Sequence, residues 1–221
     1  MTKGKSSKSE TKKLLRGSED SSIQRKNVDF GTYHHSTPKE SDEIRNRAEG
    51  SFLKLLQPLY PAGASLRILD AGCGLGFLMW VAAKCFPKAH ITGVDLFKHE
   101  SISGMSMDAA VKNMKSLGIS SRTSFLKYDL TKPIEFDVPY DLVLSNLVFH
   151  NMGKKRLNAY ATVFDALKPG GFFVIGDVFP HDKTDLEYFR KCSTLIQEVD
   201  EGGTGPWKYK IRVLKNHSPD K

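Results

Sequence analysis

Cysteine is scarce in this chain, with three in 221 residues, at positions 73, 85 and 192. So few, so widely spaced, exclude a disulfide framework and a zinc cluster, and they point to a reducing compartment, the cytoplasm. No apolar run approaches the ~20 residues of a membrane-spanning helix, so no membrane partner is expected. The lysine-rich start lacks the apolar core of a secretory signal. No internal repeat is visible, which excludes solenoids and propellers. Acidic charge is also in short supply: 25 Asp and Glu stand against 33 Lys and Arg, a net charge of +8.

That excess is unevenly placed. Residues 1–26 hold eight basic and three acidic side chains and few apolar ones, so the rest of the chain is only +3. This composition predicts a disordered basic tail over 1–26. Such a tail either tethers nucleic acid or simply keeps the chain in solution, and the second use is the commoner. A nucleic-acid partner is therefore possible but not favoured. The remaining length suffices for one α/β domain with a sizeable core.

What the chain does have is Ile68-Leu69-Asp70-Ala71-Gly72-Cys73-Gly74-Leu75-Gly76. An apolar run ends in an acid, glycines follow at alternate positions, and an apolar helical segment begins at Phe77. That order reads as strand, tight turn, helix. Glycine admits positive φ and close approach of a ligand, and the helix start behind it offers unpaired N–H groups. A dinucleotide fingerprint would be G-x-G-x-x-G with an acid about 20 residues on. Here the third glycine comes one residue early, which disfavours a nicotinamide dehydrogenase.

Further short apolar runs also end in acids or polar groups. His90 to Leu96 ends at Asp95, placed to accept from both hydroxyls of a ribose. Ser124 to Leu130 contains Asp129, placed to accept from the exocyclic amine of an adenine. Tyr140 to Asn151 carries Ser145, Asn146, His150 and Asn151. Leu167 to Asp177 starts where Pro169-Gly170-Gly171 stops a preceding helix. Between them lie helical stripes: Ile44, Ala48, Phe52, Leu55, Leu56 and Leu59; Met107, Ala110, Val111, Met114 and Leu117, closed by Gly118; Leu157, Tyr160, Ala161, Phe164 and Leu167. Strands alternating with helices of this length predict a doubly wound, largely parallel sheet. Thr184 to Lys191 reads as helix, Trp207 to Leu214 as strand, and Leu195 to Asp200 as either.

With these segments in place, the chain resembles the class I S-adenosylmethionine-dependent methyltransferases. The likeness rests on LDAGCGLG, VDL, YDL, YDLVLSNLVFHN and LKPGGFFVIGD, in that order, over roughly Ala64 to Asp177. It is nearest to small enzymes with a GVDLW-like second strand and an S-x-L-x-x-H-N fourth strand, with Phe97 replacing the Trp. The resemblance implies a Rossmann-like α/β fold: a doubly wound, seven-stranded, mostly parallel sheet with one antiparallel strand and helices on both faces. That favours strand over helix for 195–200. The chain then divides into the disordered basic tail over 1–26 read from composition, an N-terminal lid and helix over 27–63, and a Rossmann-like methyltransferase domain over 64–221. By the same analogy Asp70, Gly72, Gly74 and Gly76 cradle the methionine part of the cofactor, with Cys73 a small filler of the loop. Asp95 and Leu96 take the ribose, Tyr128, Asp129 and Leu130 the adenine, and Ser145 and Asn146 face the donor from the fourth strand. No metal is implied.

The methyl of such a donor is already activated, so the protein has mainly to hold the acceptor about 3–3.5 Å away, aligned and dry. The catalytic candidates are His150, as a base or an orienting group, and Asn146. The plain alternatives are a loop histidine bonded to backbone, and Asn151 as a cap of the helix that follows. Where a Pro-Pro-aromatic tetrapeptide would mark amide or base amino-methylation, Ser145-Asn146-Leu147-Val148 stands instead, and no Pro-Cys provides a cytosine nucleophile. Asp141 is expected to position its strand. Tyr33, His34 and His35 are lid candidates over a small-molecule acceptor. A macromolecular acceptor or a catalytically silent binding module are the competing readings.

Overall fold

The computed structural model describes residues 28–98, 100–203 and 208–217. The basic stretch 1–26 and the turn residues 204–206 therefore lie outside the described residues. Within them, the chain runs α1 (Pro38–Leu56), β1 (Arg67–Ala71), α2 (Phe77–Cys85), β2 (His90–Asp95), α3 (Met107–Ser116), β3 (Thr123–Lys127), β4 (Tyr140–Asn146), α4 (Arg156–Ala166), β5 (Leu167–Val178), α5 (Asp182–Cys192), β6 (Ser193–Asp200) and β7 (Tyr209–Asn216). The strands form one seven-stranded sheet in the order β3-β2-β1-β4-β5-β7-β6. β7 is antiparallel to both β5 and β6, while the neighbouring pairs from β3 to β5 are parallel. Residues 195–200 are thus strand.

Two apolar layers sandwich the sheet. α1, α2 and α3 pack on one face through Ala48, Phe52, Met79, Ala110 and Met114. α4 and α5 pack on the other through Ala159, Tyr160, Val163 and Phe189. Phe149, Phe173 and Phe179 belong to that second layer as core. α2 is apolar all round because it is buried all round, Lys84 apart. α1 starts on a capping box, Thr37 Oγ1 accepting from Glu40 N and Glu40 accepting from Thr37 N, with Pro38 in the first turn.

Four local expectations need correction. On α1 the inward position is Arg45, 3% exposed, and Ile44 is turned outward. On α3 Asn113 is buried and Val111 is exposed; the Asn113 amide donates to the carbonyls of Asp29 and Leu75, and those bonds make its burial tolerable. α4 stops at Ala166, before the Pro-Gly-Gly, and β5 opens at Leu167. Leu167 pairs with Tyr140 and Phe172 with Leu142, so Lys168–Gly171 bulges from the strand instead of capping the helix. Finally, Asn151 does not cap α4; its amide donates back to Leu147 O. Asp141 does position its strand: it accepts from Arg67 N on β1 and pairs with Lys168 on β5.

Candidate functional site

The crossover pattern switches direction between β1 and β4, and in open α/β sheets the crevice at such a point, outside the carboxyl ends of the strands, is where ligands bind. A cavity lies there. Its floor is the loop after β1, with Asp70, Gly72, Cys73 and Gly74. One wall comes from β2 and the segment after β3, with Asp95, Leu96, Tyr128, Asp129 and Leu130. The opposite wall is Asn146 with Leu147, Val148, Asn151 and Met152. These ten predicted cofactor positions, Asn146 included, share one cavity.

The loop is held open by backbone bonds. Gly72 N and Cys73 N donate to Val94 O, at 2.8 and 3.1 Å, tying β1 to β2 beneath it. Gly72 sits at φ +80°, and a Cβ there would run into the Val148 side chain across the cavity. Gly74 N donates to Asp95 Oδ2 at 3.0 Å, and Phe97 N donates to Asp95 Oδ1 at 2.7 Å. Asp95 is thereby fixed with its remaining lone pairs toward the cavity. Asp129 is anchored in the same way by Thr131 N and Thr131 Oγ1, bonds that hold its pKa below the usual carboxylate range.

Gly76, Ser145 and His150 are not brought to the cavity wall. Gly76 starts α2 at φ +86°, and a Cβ there would strike the Met114 methyl, so its role is close packing of α3. Ser145 is fully buried and donates to Ala71 O at 2.7 Å, stitching β4 to β1. His150 points to Asp177, with Nδ1 2.5 Å from Oδ1. Asp177, itself buried, also accepts from Phe149 N, His150 N and Val178 N. The pair therefore pins the turn after β4 onto β5.

The 28–35 segment lies over the cavity. Thr32 N donates to Ser103 Oγ, Ser103 N to Thr32 O, and His34 N to Ser101 O, so the strip is hydrogen-bonded to the 101–103 loop. Phe30 and Tyr33 line the cavity, whereas His34 and His35 are exposed, their rings in tilted contact with each other. Residues the sequence did not single out complete the enclosure. Arg45 lines the cavity, lies under the Tyr33 ring at 4.5 Å, and donates through Nη2 to the carbonyls of Phe30 and Gly31. The signal for Arg45 was its helical spacing from Ala48 and Phe52, which Ile44 shares.

The cavity fits the cofactor of the family the chain resembles. Asp70 is 1% exposed, and its Oδ2 has no hydrogen-bond partner among the described residues. Burial and the neighbouring Asp95 push its pKa up to about 8, against a backbone bond from Met79. A carboxylate so placed suits a cationic group such as the ammonium of the methionine moiety. The polar positions at the β2 and β3 ends suit a ribose and an adenine. Among the described residues no group of three or more His, Cys, Asp or Glu is arranged to hold a metal, and no helix is long and apolar enough to cross a membrane.

Comparison with known proteins identifies the family. A sequence family described as a methyltransferase domain matches residues 63–211. The chain is 32% identical over 106 residues to a malonyl-[acyl-carrier protein] O-methyltransferase of Bacillus cereus, a match covering 48% of this chain and 35% of that protein. It is 28% identical over 136 residues to a release factor glutamine methyltransferase of Rhodopirellula baltica, covering 62% of this chain and 42% of the other. The chain thus spans less than half the length of these curated relatives. In fold it is similar to the N-methyltransferase NodS of Bradyrhizobium japonicum, with TM-score 0.61 at 17% identity, covering 80% of this chain and 99% of that one. It is as similar to the [4+2]-cyclase SpnF, with TM-score 0.62 at 15% identity, covering 86% and 88%. At these identities the structural likeness establishes the fold alone. The family match over most of the chain settles the class: the chain belongs to the Rossmann-like, class I S-adenosylmethionine-dependent methyltransferases.

Proposed function

We propose that this chain methylates a small, largely apolar acceptor held between Tyr33 and Asn146. The observation that carries the reading is the strip Phe30–His34, hydrogen-bonded to the 101–103 loop over the cavity. An acceptor must fit beneath it, among Phe30, Leu75, Ile102, Met105 and Val148, a space suited to a compact molecule.

In this reading the bound donor supplies a methyl already activated on a cationic sulfonium, and the residues of the chain hold and shield. Asp70 binds the ammonium, the backbone of Gly72 and Gly74 lies along the methionine part, and Cys73 fills the loop beside them. Asp95 and Leu96 hold the ribose; Tyr128, Asp129 and Leu130 frame the adenine. Phe30 and Tyr33 exclude water from above. Asn146 contacts the acceptor. His150 acts indirectly, by fixing with Asp177 the turn that carries Val148 and Met152, and Ser145 and Gly76 fix strand and helix spacing.

Calorimetry with S-adenosylhomocysteine and with NAD, followed by methyl transfer from a labelled donor to a small-molecule library with and without competitor RNA, tests the proposal. Binding of the first ligand but not the second is expected, with label entering small molecules at a rate that RNA leaves unchanged. Failure to bind S-adenosylhomocysteine would overturn the whole reading. Label on RNA or protein, or inhibition by RNA, would replace the small acceptor with a macromolecular one.

A further inference from the structure

The amino-acid end of the donor carries an ammonium and a carboxylate on one carbon. A cavity that takes it therefore needs an anion and a cation side by side. Asp70 supplies the anion. Three acids line the cavity, Asp70, Asp95 and Asp129, and among the described residues Arg45 is the only Lys, Arg or His that does. Its ion pair is with Asp42, at 3.4 Å, and not with Asp70. The Asp42 side chain is 73% exposed. A pair whose acid stands in water is worth little, and a buried cation so weakly matched is costly.

The guanidinium spends Nη1 on Asp42 and Nη2 on the carbonyls of Phe30 and Gly31. Nε makes no hydrogen bond among the described residues, yet it is not one of the fully enclosed atoms without a partner. It therefore keeps accessible surface, and the cavity is what Arg45 lines. Arg45 and Asp70 belong to the same end of that cavity. The Tyr33 hydroxyl feels both: burial, the main influence, raises its pKa, Arg45 lowers it and Asp70 raises it further. Asn146, also at this end, is committed elsewhere. Its Oδ1 accepts the Tyr209 hydroxyl at 2.6 Å. That bond crosses β5 at Gly176, where a Cβ would strike the hydroxyl. Asn146 Nδ2 is enclosed against Tyr33.

We propose that Arg45 Nε binds the carboxylate of the donor, while Nη2 of the same guanidinium, on the carbonyls of Phe30 and Gly31, ties that carboxylate to the strip over the cavity. This rests on the methyltransferase reading above and supplies the charge that Asp70 leaves unmatched. A carboxylate at Nε gives the buried guanidinium a desolvated anion in place of the exposed Asp42. With the guanidinium held at a third point, its grip on Phe30 and Gly31 tightens. Phe30 lines the cavity, and Gly31 leads into Thr32, whose N–H is held by Ser103. The donor's carboxylate thus firms the roof under which the acceptor has to fit, and a donor lacking it leaves the roof loose.

The test uses the full chain and two ligands, S-adenosylhomocysteine and its decarboxylated counterpart S-adenosyl-3-thiopropylamine, which keeps the ammonium. With three acids around the cavity, charge alone favours the decarboxylated, net cationic ligand; Arg45 predicts the reverse. Calorimetry should show S-adenosylhomocysteine binding more tightly by roughly tenfold to a hundredfold, the worth of a charge-assisted hydrogen bond. In Arg45→Gln that ratio should collapse toward one or invert. A merely structural role for Arg45 would weaken both ligands alike and leave the ratio as it was. With the parent chain saturated by either ligand, hydrogen exchange at residues 29–34 should be severalfold slower under S-adenosylhomocysteine. Equal affinity for the two ligands overturns the proposal, as does a tighter decarboxylated ligand, an unchanged ratio in Arg45→Gln, or equal exchange at 29–34. The parent chain decides by affinity and exchange even where Arg45→Gln does not fold. Failure of the parent chain to bind S-adenosylhomocysteine at all would instead strike the methyltransferase reading itself.

Discussion

Asp70 is a buried acid whose charge depends on pH near neutrality. Burial, then Asp95, raises its pKa to about 8, whereas in the unfolded chain it titrates near the ordinary ~3.9. Between those values the folded state binds more protons than the unfolded, so this group's contribution to stability declines as pH rises from about 4 to about 8. A cationic ligand group needs the ionised form, so its affinity moves the opposite way. S-adenosylhomocysteine should bind more tightly as pH rises toward 8, with a proton released, measurable as a dependence of the binding heat on buffer ionisation enthalpy. Asp70→Asn should weaken binding by roughly tenfold to a hundredfold, the loss of a charge-assisted bond, and should flatten the pH profile. A profile unchanged by the substitution would remove Asp70 from the site. The strand-end acids were legible in the sequence because parallel strands deliver their last residues to one edge, and local pattern alone marks where a strand ends. Arg45 was not legible. Its spacing is shared with Ile44, and although Asp42 one turn earlier takes Nη1, the carbonyls that accept from its buried Nη2, on Phe30 and Gly31, are distant in the chain.

Elements carry the acceptor wall. The segment after β4 turns at Leu147, φ +57°, into 3-10 turns over Phe149–Lys155, broken by a kink at Gly153. Its approach to β5 is set by Asp177 through three bonds to this turn, from Phe149 N, His150 N and His150 Nδ1. His150→Ala should therefore destabilise the chain by about 1.5–3 kcal/mol, a bond to a charged group, as read by urea unfolding. Turnover should fall by less than about tenfold, where loss of a general base would cost about 10²–10⁴. A loss in the larger range with stability intact would restore His150 to the chemistry. The sequence showed helix and strand alternation clearly because hydrophobic period is a local property. It misplaced the α4–β5 junction because Pro169-Gly170-Gly171 reads equally as a helix stop and as a bulge, and only pairing with Tyr140 and Leu142 decides between them. It missed the Tyr209–Asn146 bond for a related reason: strand order β5-β7-β6 brings residues 63 positions apart together, and no local pattern encodes that.

At the scale of the molecule, the cavity is assembled from β1, β2, β4, the segment after β3 and the strip before α1, so a ligand filling it ties the N-terminal strip of the described chain to the sheet. Any ligand that binds only the folded state stabilises it by mass action, roughly 2.7 kcal/mol at a hundredfold excess over Kd. For a domain of this size that is a Tm rise of about 5–10 °C. S-adenosylhomocysteine should give this shift and NAD none in a scanning melt; the reverse result would contradict the cofactor assignment.

The antiparallel β7 has a consequence for synthesis. It is the last of the described strands to leave the ribosome, yet it lies inside the sheet, between β5 and β6. Until residues 209–216 emerge, β5 has a bare edge, β6 has nothing to pair with, and the Asn146 amide is free to turn. The wall that carries Asn146 is therefore completed only when β7 takes its place between β5 and β6.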